Sequence, residues 1–106
     1  MAAHIVFSDK LYLGESISAK KLDKIKKKLI SKPFLANVWL ITLAHNPSDQ
    51  LDLLDARQLI QRHYDDVDFH VYGIAASREE AFSIVERITQ DCLAERGDCR
   101  LREFLI

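Results

Sequence analysis

The spacing of apolar positions changes along the chain, and the change is clearest over Phe69–Leu93. Phe69 to Ile74, FHVYGI, holds valine, isoleucine and two aromatics, the composition of a pleated and largely buried strand. Ala75 and Ala76 then lead into Ser77, with Glu80 three positions on. The Ser77 hydroxyl can accept from the Glu80 NH while the Glu80 carboxylate reaches back to the Ser77 NH, so a capping box opens a helix here. Ala81, Ile84, Val85, Ile88 and Cys92 follow at spacings of three and four, and Phe82, Thr89 and Leu93 widen that stripe. Gly97 suits the left-handed turn that closes a helix, and Arg87 and Arg96 sit towards its negative end. The unit is a strand, a tight turn and a covering helix over about Ser77 to Arg96.

Earlier in the chain, Ile5–Phe7 and Leu11–Leu13 are short apolar runs separated by Ser8, Asp9 and Lys10, which reads either as a hairpin or as one bent strand. Ser16 or Ser18 caps a helix to about Ser31 with Leu22, Ile25 and Leu29 as its apolar seam. Seven lysines, at 20, 21, 24, 26, 27, 28 and 32, accompany this helix. Lys20, Lys21, Lys24, Lys27 and Lys28 project away from the seam, as a solvated face does, and no aromatic or arginine is interleaved to stack on bases. Pro33 ends the helix. Val38–Leu43 is a continuous apolar run, predicting a central strand covered on both faces. In the polar turn Ala44–Gln50, Asn-Pro leads to Ser48 or Asp49 as the cap of a second helix reaching about Tyr64. On that helix Leu53, Ala56, Ile60 and His63 share a face while Leu51 and Leu54 lie nearly opposite, either under the preceding loop or in a subunit contact. Leu101–Ile106 predicts a closing edge strand.

These elements imply one domain over residues 1–106 in β(β)αβαβαβ order: a three-layer α/β fold with a four- or five-stranded, mostly parallel sheet and three helices. Composition agrees with an ordinary globule, with 48% hydrophobic and 29% charged residues. A net charge of −1 gives no reason to expect nucleic acid as the main partner. The expectation is a cytoplasmic protein without a membrane partner, since no apolar run approaches a spanning helix and no secretory leader is seen. Cys92 and Cys99 lack the C-x-x-C spacing of a redox pair and read as reduced, packed thiols.

At YLGES, VWLITLAHNPSDQLD and HVYGIAASREEAFSIV the chain resembles small bacterial α/β proteins with no assigned activity. That resemblance implies the α/β architecture and carries over no site residue.

Same-handed crossovers would bring the turns Gly14–Ser18, Ala44–Gln50 and Ala75–Ser77 to one sheet edge, each ahead of a helix N-terminus that favours anions. The candidate ligand residues are therefore Ser16, His45, Asn46, Ser48, Asp49 and Ser77, and Leu51 and Leu54 are candidates for an interface. His45 beside Asp49 or Glu15 could act as a general base, but no nucleophile elbow, P-loop or dinucleotide fingerprint supports an enzyme, and no catalytic residue is assigned. The histidines at 4, 45, 63 and 70 lack ligand spacing, so neither metal nor cofactor is expected. The reading is a non-catalytic binding or interaction module, with a homodimer among its partners. Its alternative is a small enzyme or sensor taking an anionic metabolite at the C-terminal sheet edge.

Overall fold

A computed structural model describes residues 4–32, 35–44, 49–57 and 68–106. Among them the chain forms β1 (His4–Leu13), α1 (Ala19–Ser31), β2 (Trp39–Leu43), β3 (Leu51–Asp55), β4 (Asp68–Ala75), α2 (Arg78–Arg96) and α3 (Leu101–Leu105). The sheet order is β1-β4-β2-β3. Only β1 and β4 are parallel; β2 runs antiparallel to both β4 and β3.

The expected mostly parallel three-layer sheet of β(β)αβαβαβ order is thereby corrected to a mixed four-stranded sheet. Two segments account for the change. Leu51–Asp55, expected inside a helix, pairs with β2 in unbroken register from Leu43 with Leu51 to Trp39 with Asp55. This hairpin satisfies the backbone groups of both strands at once, which a helix beginning at Ser48 or Asp49 could not do for β2. The rest of that expected helix, 58–64, falls outside the described residues. The second correction is at the chain end, where Leu101–Leu105 is a short helix rather than an edge strand. Its turn is held locally and from across the sheet: the Asp98 carboxylate accepts from the Arg100 NH at 3.1 Å, and the Gln50 side-chain oxygen accepts from the Leu101 NH at 2.5 Å.

Residues 4–13 form one bent strand and no hairpin. Its register with β4 jumps from Phe7–Val71 to Tyr12–Gly73, so the intervening residues of β1 bulge from the ladder. β4 has an irregularity of its own, since Val71 pairs with Thr42 and Gly73 with Ile41, leaving Tyr72 as an extra residue.

That bulge explains how the two cores are shared. Phe69, Val71 and Ile74 pack with Leu40, Leu54 and Leu29 of α1, with Leu22 and Ile25 beside them. Ala75 joins Ile41 and the α2 residues Ala81, Ile84, Ile88 and Cys92 in the second cluster, with Leu101 of α3. Strict alternation would put Val71 and Ile74 on opposite faces, and the extra residue brings them to the same one.

Local signals formed their elements as the sequence predicts. The Ser18 Oγ accepts from the Lys21 NH at 3.3 Å and caps α1, whose lysines 20, 21, 24, 27 and 28 are exposed. Ser77 caps α2, and Gly97 closes it at φ 76°. Cys92 is buried and Cys99 exposed, both as free thiols. No described helix is long and apolar enough to cross a membrane.

Among the described residues one buried side-chain polar atom has no hydrogen-bond partner, the Thr42 hydroxyl, on a fully buried residue of β2. Desolvating a hydroxyl without a hydrogen bond costs about 1–3 kcal/mol. Thr42→Val keeps the shape and removes the hydroxyl, so denaturant unfolding should show a gain of about 1 kcal/mol. A loss of stability would mean that the hydroxyl has found an acceptor.

Candidate functional site

The expected meeting of three turns is reduced to two. β2 begins beside the end of β4, where Trp39 pairs with Ala75, so the 44–50 connection leaves from the opposite end of the sheet. There the Ala44 and Asp49 carbonyls both accept from the Arg102 guanidinium of α3, the latter at 3.4 Å. Asp49 is therefore remote from Ser16 and Ser77. His45, Asn46 and Ser48 lie outside the described residues.

Ser16 and Ser77 do come together, through Glu80. The Gly14 NH donates to the Ile74 carbonyl at 2.9 Å and joins the ends of β1 and β4. Across this corner the Ser16 hydroxyl donates to one Glu80 oxygen at 2.6 Å, while the other accepts from the Ala76 NH at 3.1 Å. The Ser77 Oγ accepts from the Glu80 NH at 3.2 Å. The capping box thus closes with the carboxylate bonded one residue earlier than expected. The Ser16 hydroxyl foremost, then the Ala76 NH, hold the Glu80 carboxyl below its usual range.

A cleft of about 240 Å³ opens on this corner, lined by Gly14, Glu15, Ser77, Glu79, Glu80, Ser83, Ile84 and Arg87. Three carboxylates face a single guanidinium in it. An incoming anion would meet those carboxylates, and the Ala76 NH is already taken by the Glu80 carboxylate and the Glu80 NH by the Ser77 hydroxyl.

Leu54 is 8% exposed and packs in the cluster beneath α1. Leu51 is half-buried beside the α2-side cluster. Helical spacing set these two leucines apart from their neighbours, and in a strand that geometry no longer applies. The exposed apolar side chains of α2 are instead Phe82 and Leu93.

A second cleft, of about 220 Å³, lies further down the same seam between β1 and α2, lined by Ser8, Lys10, Tyr12, Tyr72, Glu95, Phe104 and Leu105. Both strand irregularities feed it. The β1 bulge supplies Ser8 and Lys10, with the Ser8 Oγ accepting from the Lys10 NH at 3.2 Å, and the extra residue of β4 is Tyr72. Tyr12 forms a fixed wall: its hydroxyl donates to Asp91 at 2.5 Å, and the Arg87 guanidinium lies 5.7 Å from its ring centre. Arg87 also donates to the Leu13 carbonyl at 3.1 Å, separating the two clefts. Sequence reasoning missed this site, because its partners Tyr12 and Asp91 stand 79 positions apart and neither belongs to a motif.

Burial, followed by the hydrogen bond to Asp91 and its charge, pushes the Tyr12 phenol from 10.0 up to about 12. The neutral phenol is therefore favoured by folding. Its contribution to stability should be complete below pH 10.0 and lost as pH climbs towards about 12. An alkaline absorbance titration should show a late-ionising phase, and Tyr12→Phe should remove it.

No family model, curated protein or solved structure matches this chain.

Proposed function

We propose that the protein is a non-catalytic binding module whose ligand enters the cleft between β1, α2 and α3. The observation that supports this best is the contrast between the two clefts. At the sheet-edge corner, Ser16, Ser77 and Glu80 are spent on one another. In the lower cleft the aromatic residues Tyr12, Tyr72 and Phe104 are among the lining, while Lys10 and Glu95 enter no ion pair among the described residues. Concave, partly apolar sites with a few polar groups are where small ligands bind.

The test is amide chemical-shift mapping against a panel of amino acids, nucleosides and dicarboxylates. At least one class should move the Tyr12, Tyr72, Glu95 and Phe104 amides together, and Tyr72→Ala should abolish the response. Shifts confined to Ser77, Glu79 and Ser83 with a dicarboxylate would favour the alternative, an anion-binding enzyme or sensor at the sheet edge.

A second reading, self-association, is favoured by Phe82 and Leu93, 48% and 47% exposed on one flank of α2. It predicts a dimer in light scattering that Leu93→Glu disperses, and a monomer at high concentration would remove it.

A further inference from the structure

We propose that the cleft between β1, α2 and α3 recognises a free α-amino acid with an aromatic or bulky apolar side chain. This rests on the reading of that cleft as the ligand site and adds the chemical class. Lys10 and Glu95 place opposite charges on one opening, and neither is joined to the other or to another described residue in an ion pair. A ligand carrying both a carboxylate and an ammonium group can satisfy each of them, whereas a singly charged ligand leaves one unanswered.

The walls specify the rest of the ligand. Three aromatic residues, Tyr12, Tyr72 and Phe104, and the aliphatic Leu105 stand among the lining, and an apolar side chain can pack against them. At about 220 Å³ the space is below the roughly 300 Å³ at which drug-sized pockets begin, which suits a single amino acid better than a peptide or a dinucleotide.

The site is also pre-organised. The Asp91 hydrogen bond and the Arg87 guanidinium hold the Tyr12 ring, and the Ser8 bond to the Lys10 NH sets the bulge that carries the lysine. A break in the ladder of an edge strand costs backbone pairing, and here it supplies one of the two charges.

The experiment uses the full chain with three probes: L-phenylalanine, phenethylamine (no carboxylate) and hydrocinnamate (no ammonium), followed by amide shifts. L-phenylalanine should move the Lys10, Tyr72, Glu95 and Phe104 amides and bind more tightly than either analogue. Lys10→Met should weaken L-phenylalanine roughly threefold to tenfold and leave phenethylamine unchanged. Glu95→Gln should weaken L-phenylalanine by a similar factor and leave hydrocinnamate unchanged. Both residues are exposed, so the variants should keep the native amide spectrum as a control. Equal binding of all three probes at these amides, indifferent to both substitutions, overturns the zwitterion proposal while the cleft remains a ligand site. Silence of these amides to every probe, or responses only at Ser77 and Glu79, overturns both.

Discussion

Truncating Phe69 to alanine should cost about 3–5 kcal/mol of folding stability. Its ring is fully buried on β4, in the cluster that includes Leu40 of β2 and Leu29 of α1. Removing it forfeits the transfer free energy of the ring and leaves a cavity. The cavity cannot readily close, because β4 is hydrogen-bonded to a neighbour on each side. Domains of this size keep only about 5–15 kcal/mol in reserve, so the thermal midpoint should fall by more than about 10 °C. The denaturant slope should be unchanged. A loss under about 1 kcal/mol would mean that the site collapses freely or that the ring is not enclosed.

Gly73→Ala should also destabilise, by about 1–3 kcal/mol, against the usual direction. In an ordinary strand, replacing glycine by alanine gains about 0.5–1 kcal/mol from the restricted unfolded chain. At Gly73 an added methyl would stand 2.9 Å from the Ile41 Cδ1 and 2.9 Å from the Ile84 Cγ2. The first is the far end of a flexible side chain, but the second is a branch methyl on the fully packed face of α2, and it gives way only if the helix lifts. The sign of the effect therefore reports how closely α2 lies on β4. Combined with Ile84→Ala, which removes the obstructing methyl, the double variant should lose less than the sum of the two singles, by about 0.5–3 kcal/mol. Strict additivity would show that the helix does not press on the glycine.

Less of the candidate site could be read in the sequence than of the fold. Ser16 and Ser77 were legible as helix-opening polar residues, and both stand at one corner. What they do there was not, because Glu80 belongs to the local capping pattern of α2 and gives no sign that its second oxygen reaches Ser16 across 64 positions. The lower cleft was invisible for a related reason. Lys10 falls in the polar gap between two apolar runs and Tyr72 in a strand, Glu95 belongs to no motif, and only the two register breaks place Lys10 and Tyr72 around one space with it.

The sequence by itself determined α1, α2 and the strand before α2, together with the buried Ala81, Ile84, Ile88 and Cys92 stripe of α2, though not its expected widening, since Phe82 and Leu93 are exposed. Their signals lie within a few residues: Ser18 and Ser77 satisfy NH groups three positions ahead, Gly97 adopts a conformation costly for other residues, and apolar spacing marks the inward stripe. Only tertiary structure decided the direction of β2, the strand character of Leu51–Asp55 and the helical end of the chain. LDLLD is too short for its period to choose between helix and strand, and pairing with β2 settles the choice by meeting the hydrogen-bonding needs of both segments. Leu101–Leu105 carries a mixed pattern, and contacts from Gln50 and from the Ala44 and Asp49 carbonyls, half the chain away, make the helical turn the better-satisfied one. Local hydrogen bonds are specified where they form, whereas strand partners are chosen by whatever the rest of the chain leaves unpaired.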